Sequence, residues 1–240
     1  MLRILLTTLL LSLCSANLAA AELQPFHASY TADWSQLPFT GKAERSLKNN
    51  GDDTWRLSFE ASMIVAGLKE TSTLRLAGEQ IQPLKYRYQR TGLGKAKKNS
   101  QDFNWQTYLI TGVEKKQPFE MPLLVGVLDK SSYQLALQLD VAAGQQAMSY
   151  SVVDGNELDT YDFRVLGEEI VTTSVGKLRT IKVERVRDPS QSQRKTTLWF
   201  AADWNFLLVQ LNQVEKDGKD YTIMLEQGSV NGKPITAMPE

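Results

Sequence analysis

Phe26-His27-Ala28-Ser29-Tyr30-Thr31-Ala32-Asp33-Trp34 is the stretch that decides the fold. Phe26, Ala28, Tyr30, Ala32 and Trp34 fall at every second position, with more polar residues between them. A period of two sends alternate side chains to opposite faces of an extended strand, whereas a helix repeats every three or four residues. The pattern returns at Trp55, Leu57, Phe59, Ala61 and Met63. Tyr86 and Tyr88 alternate with Lys85, Arg87 and Gln89; Ile181, Val183 and Arg185 alternate with Thr180, Lys182 and Glu184. From Leu198 to Leu211 the chain is almost continuously apolar, broken by Asp203 and Asn205, and reads as two buried strands around a turn.

The punctuation between these runs fits hairpins. Asn49-Asn50-Gly51-Asp52, Thr91-Gly92-Leu93-Gly94, Asp154-Gly155-Asn156 and Lys216-Asp217-Gly218-Lys219 all carry residues that tolerate a positive φ. The expected architecture is mainly β: a curled antiparallel sheet, like a β-barrel or β-spiral, with one short helix near the middle. That helix is predicted from Tyr133 to about Ala143, after Asp129-Lys130-Ser131-Ser132, whose side-chain oxygens are able to cap free amides. Leu135, Leu137, Leu139 and Val141 also alternate strictly, but the cap and the alanines decide for helix. Pro118 to Val125 is apolar and proline-broken, and reads as a connector packed on the sheet.

Leu76-Ala77-Gly78-Glu79 and Phe200-Ala201-Ala202-Asp203 open two segments of similar pattern. Residues 22–240 therefore read as one β-rich domain. It has either two similar halves, 22–115 and 145–240, joined by a helical connector over 118–143, or a chance likeness between amphipathic strands.

The start of the chain gives an address. Arg3 is followed by an apolar run from Ile4 to about Leu13 and by Ala19-Ala20-Ala21. A positive start, a short apolar core and a small-residue exit make a secretory signal over residues 1–21, with cleavage expected between Ala21 and Glu22. The run falls short of the roughly 20 apolar residues that span a bilayer, so no transmembrane anchor is expected after cleavage. Cys14 follows Leu13, which is too bulky for the usual lipoprotein pattern. The mature chain then has no cysteine, hence no disulfide and no thiolate chemistry. The expected location is the periplasm.

With those residues in place, the chain resembles a bacterial envelope family catalogued as domain of unknown function 3108. The resemblance rests on Asp154-Gly155, Tyr161 to Val165, and Val171 to Gly176 leading into Ile181-Lys182-Val183. It continues through Leu198-Trp199-Phe200-Ala201, Val209 and Asp217-Gly218. The strand with Tyr30, the strand at Gly41 and the helix start at Asp129 fit the same family. This sequence departs from it at Leu208 and Ser174, where proline is the common residue. The resemblance implies an exported, curled antiparallel sheet, loosely similar in shape to periplasmic lipoprotein carriers, and it supplies no catalytic residues.

Most catalytic chemistry lacks its parts. His27 is the only histidine, near the mature N-terminus, so the usual serine or cysteine hydrolase has no histidine base beside a nucleophile. Zinc spacings are absent by count. The acids Asp154, Glu157, Asp159 and Asp162 do not match a calcium loop. Gly92-Leu93-Gly94-Lys95 is no phosphate loop. No cofactor and no metal is expected. With 27 basic and 27 acidic residues, nothing in the charge calls for nucleic acid.

Two candidate surfaces remain. Tyr30, Trp55, Phe59, Trp199 and Phe206 are the expected interior of the curl, able to bind an apolar ligand such as a lipid. Lys85, Arg87, Lys95, Lys97 and Lys98 flank one hairpin and form a candidate surface for anionic headgroups, or a charged, aggregation-resistant sheet edge. The expected function is a non-enzymatic periplasmic protein that binds lipid or an envelope protein. The alternative is an interaction module using sheet edges or the basic hairpin, and, less favoured, an envelope-polymer hydrolase.

Overall fold

The computed structural model describes residues 22–35, 40–63, 66–92, 96–190 and 192–239. The first half is an antiparallel meander. Its strands are β1 (Phe26–Trp34), β2 (Gly41–Asn49), β3 (Thr54–Met63), β4 (Ala66–Ala77), β5 (Gln80–Gly92), β6 (Lys97–Asn104), β7 (Leu109–Glu114) and β8 (Gln117–Pro122). The chain then crosses through β9 (Leu128–Asp129) and α1 (Ser132–Ala142). A second meander follows: β10 (Ala147–Asp154), β11 (Glu157–Thr173), β12 (Gly176–Val186), β13 (Lys195–Ala201), β14 (Leu207–Val214) and β15 (Asp220–Val230), with β16 (Lys233–Pro234) beside β15. Because β15 returns to pair with β1, both meanders form one sheet, running from β8 through β1 and β15 to β9.

Burial follows the period of two. Phe26, Ala28, Tyr30 and Ala32 are buried and belong to the main core. Leu135, Leu137 and Val141 of α1 join that core, so the helix packs into the curl. The long apolar run does split around a turn, into β13 and β14.

The sheet overlaps itself. Val152 and Val153 are consecutive on β10, face opposite sides, and are both fully buried. Val152 belongs to the main core; Val153 belongs to a second cluster with Tyr86, Phe103, Ile110, Leu123 and Val127 of the first meander. The curl is therefore a spiral, with β5 to β8 laid against the far side of β10. Side chains close this seam where no ladder does: Gln101 of β6 donates to the Val153 carbonyl at 3.3 Å and to the Gly155 carbonyl at 3.1 Å.

One local reading needs correction. Residues 118–122, expected in the connector, belong to β8 instead. Phe119 and Met121 alternate against the second cluster, and the prolines that suggested a loop suit an edge. The Leu123 amide donates to Tyr108, so odd-numbered β8 amides face β7 and even-numbered ones face outward. Pro118 and Pro122 have no amide to offer, which leaves Glu120 as the sole outward donor and blunts strand addition. The expected capping comes from Asp129, whose carboxylate accepts the amides of Ser131 at 2.8 Å and Ser132 at 2.7 Å, while Ser131 makes no side-chain cap bond.

Asp129 also accepts the Ser72 hydroxyl of β4 at 2.6 Å, and it is wholly buried. Burial, the largest influence, pushes its carboxyl up to about 6, against the opposing donors of Ser72, Ser132 and Ser131. A folded value above the unfolded one means the fold binds that proton more tightly. The stabilisation is complete below about pH 4 and is lost as pH rises through 6, a change of roughly 3 kcal/mol. Urea midpoints taken from pH 4 to 7 should therefore fall, and Asp129→Asn should flatten that slope.

Candidate functional site

The turns after β10, β12 and β14 lie at one end of the sheet, because the strands that bear them are antiparallel neighbours. Between the last two of these turns runs an open groove of about 770 Å³. Its basic lining is Arg164, Arg185, Arg187, Arg194, Lys195 and Lys216; its acids are Glu184 and Glu215. Both acids are already engaged, Glu184 with Arg164 and Glu215 with Arg194 at 2.9 Å. Arg185, Arg187, Lys195 and Lys216 are left with no ion-paired carboxylate among the described residues.

These cations are held, not loose. The Arg185 guanidinium lies 3.4 Å from the centre of the Tyr161 ring, a cation–π contact. Tyr161 meets Tyr133 of α1 edge-on at 5.1 Å, and Tyr133 stacks on Phe163 at 5.8 Å. Arg187 donates to the Arg194 carbonyl at 3.2 Å. Burial and the neighbouring charges of Arg185 and Arg194 push Arg187 down to about 10. Crowded like charges of this kind favour any anion that enters.

Inside the same end lies a polar cluster. Tyr86 donates to Glu70 at 2.5 Å, and Lys130 pairs with Asp154 at 2.7 Å. Burial raises the Glu70 carboxyl. Glu70 and Asp129 are thus two acids of raised pKa, but Asp129 has no exposure and its oxygens are taken by Ser72, Ser131 and Ser132. That arrangement ties Asp129 to the seam between β4 and β9. No group of three or more His, Cys, Asp or Glu residues among the described residues is placed to hold a metal.

Tyr30 is fully buried and donates to the Leu208 carbonyl at 2.8 Å. Trp55, Phe59 and Phe206 are partly buried against the same core. Trp199 is a buried member of that core too. It lies on the opposite face from Leu198, under the Lys182 ammonium at 5.2 Å, and donates to Glu169 at 3.1 Å, so its polar edge meets an ion pair.

The basic hairpin is neutralised in part. Arg87 forms a bidentate pair with Asp102 at 2.8 and 3.0 Å, and Lys97 pairs with Glu114 at 3.2 Å. Lys97 stands opposite Arg90 and Lys98 opposite Gln89, so the two lysines face opposite sides. Lys85 and Lys98 are exposed, and Lys95 lies outside the described residues. Of the expected cleavage junction, Ala21 lies outside them too, while Glu22 is exposed. The groove itself escaped the sequence reading. Its signal was Arg185-Val186-Arg187 and Arg194-Lys195 bracketing a polar loop.

The family model described as Protein of unknown function (DUF3108) matches residues 29–226. A comparison with curated proteins finds no match. Among solved structures, the chain is similar to the crystal structure of a beta-barrel-like protein of domain of unknown function DUF1849 from Brucella abortus. The TM-score is 0.57 at 11% identity, over 88% of this chain and 99% of that one. A likeness at that identity is one of fold. With its strands, spiral seam and match over most of its length, the chain belongs to the DUF3108 family of proteins of unknown function.

Proposed function

We propose that the chain is an exported, non-enzymatic envelope protein that binds an anionic lipid at the open end of its curled sheet. The observation that carries this is the rim groove of about 770 Å³, where Arg185 on the inner face and Lys195 on the outer face of the sheet end, with Arg187 and Lys216 in the turns, have no ion-paired carboxylate among the described residues. Val186, Pro189 and Val214 give the same groove apolar stretches for the part of a lipid next to its headgroup. The secretory start of the sequence supports the periplasm as the place where this happens. The interior favours a headgroup site over a hollow carrier, since Tyr30, Leu57 and Leu74 fill it. The hairpin alternative is weaker, because Asp102 and Glu114 already satisfy Arg87 and Lys97.

The test is co-sedimentation with vesicles of phosphatidylglycerol or of phosphatidylcholine alone. Binding should need the anionic lipid and weaken with salt. Arg187→Glu with Lys195→Glu should reduce it at least about tenfold with little change in thermal midpoint. Equal binding to both vesicles, or an unaffected double variant, would refute the assignment.

A further inference from the structure

β10 pairs with β11 only as far as Arg164, and the Val165 amide donates to the Gln146 carbonyl at 2.9 Å. Beyond the bulge between Val165 and Gly167, β11 has β12 on one side alone. The carbonyls of Arg179 and Lys177 on β12 point away from β11, since they accept the Ala202 amide at 3.0 Å and the Met238 amide at 2.9 Å. Facing residues of an antiparallel ladder either exchange both bonds or turn both backbones outward. Ile170 faces Arg179 and Thr172 faces Lys177, so both turn their N–H and C=O out of the sheet, and Glu168, two residues away, does the same. None of these groups has a hydrogen-bond partner among the described residues. The side chains are open as well: Leu166 is 47% and Ile170 57% exposed, and Glu168 and Thr172 are exposed with them. β8 guards its outward side with Pro118 and Pro122, whereas residues 166–173 hold no proline. An unguarded edge with exposed apolar side chains is a template for another strand.

We infer that this edge of β11 pairs with the same edge of a second copy of the chain, antiparallel about a two-fold axis at Ile170. The length of the edge fits itself in that register. Glu168 of each copy faces Thr172 of the other, and the turn at Ser174 comes level with Leu166, just short of the Gln146 contact that closes the edge. A shift of two residues one way drives the turn into Gln146, and a shift the other way leaves Glu168 without a partner strand. The charges fit too. On this face Arg179 is paired with Asp203, whereas Glu168 and Lys177 have no ion pair among the described residues. The two-fold brings Glu168 of each copy to Thr172 of the other and, two strand spacings or about 10 Å away, to its Lys177. Each copy thus offers the acid and the base that the other lacks, and Ile170 packs on itself. A single ladder is a small interface, so the dimer is weak, with a dissociation constant on the order of 10 µM. The turn after β11 lies at the end of the sheet opposite the rim groove, so the pairing does not depend on what the groove binds.

The experiment is sedimentation equilibrium of the processed protein from about 1 to about 200 µM, a range that brackets a weak interface. A reversible monomer–dimer equilibrium is expected. Ile170→Lys and Ile170→Glu should each weaken it at least about fivefold, because like charges then meet at the axis. Mixed in equal amounts, the two variants should associate more tightly than either does alone, since opposite charges now meet there. Only a pairing that sets Ile170 against Ile170 gives that recovery. Arg187→Glu with Lys195→Glu should leave the dimer as it was, which separates this surface from the rim. A monomer at every concentration would overturn the inference. So would a dimer that neither Ile170 variant weakens, or a mixture no tighter than the separate variants.

Discussion

Asp129→Ala is expected to lower stability by about 4 kcal/mol, from the loss of a helix cap and the stranding of buried donors. The carboxylate accepts the Ser131 and Ser132 amides and the Ser72 hydroxyl in a place with no water. Alanine leaves all three unmet, at the start of α1 and at the joint between β4 and β9. Asp129→Asn keeps an oxygen for the two amides and an amide group for Ser72, and should cost far less. Equilibrium unfolding in urea measures both. A loss below about 1 kcal/mol for the alanine variant would mean that Asp129 does not hold the seam.

Gly112→Val is expected to be as damaging, for a different reason. A Cβ at Gly112 would stand 2.2 Å from the Ser100 carbonyl and 2.7 Å from the Phe119 ring. Ser100 belongs to β6 and Phe119 to β8, so the side chain would wedge β7 away from both neighbours. Overpacking against backbone costs about 3 kcal/mol or more, and the second cluster would open with it. Gly51→Ala is the contrast: its φ is +83 with nothing within 4 Å, so only the turn is strained, by about 1 kcal/mol. Similar losses in the two variants would show that β6, β7 and β8 are not packed as described.

Strand existence was legible because alternation is a local property. Phe26 to Trp34 needed no knowledge of the rest of the chain, and the split of the Leu198 to Leu211 run followed from Asp203 and Asn205. The helix was legible in extent and in having a side-chain cap, but not in which of the four residues supplies it: Asp129 reaches the amides and Ser131 does not. The edge strand at Pro118 was hidden because proline argues against a central strand, and which strand is an edge is known only once its neighbours are. The spiral overlap was out of reach: only the structure shows that Val152 and Val153 face two different cores.

The site was legible only in part. Tyr30, Trp55, Phe59, Trp199 and Phe206 were expected in the interior, and all five belong to the main core or pack against it. The pairing of the basic hairpin was not legible, because counting lysines near a turn says nothing of Asp102 and Glu114 beside Arg87 and Lys97. The rim cations come from β11, β12 and β13 and from two turns, and no window of sequence holds them together.

Native mass spectrometry of the protein purified gently from its native host, with the bound material extracted and identified, tests the central claim most directly. The account predicts an acidic lipid carried in stoichiometric amount and lost when Arg185 and Arg187 are replaced. A preparation free of lipid, or one carrying only neutral lipid that survives those replacements, would contradict it.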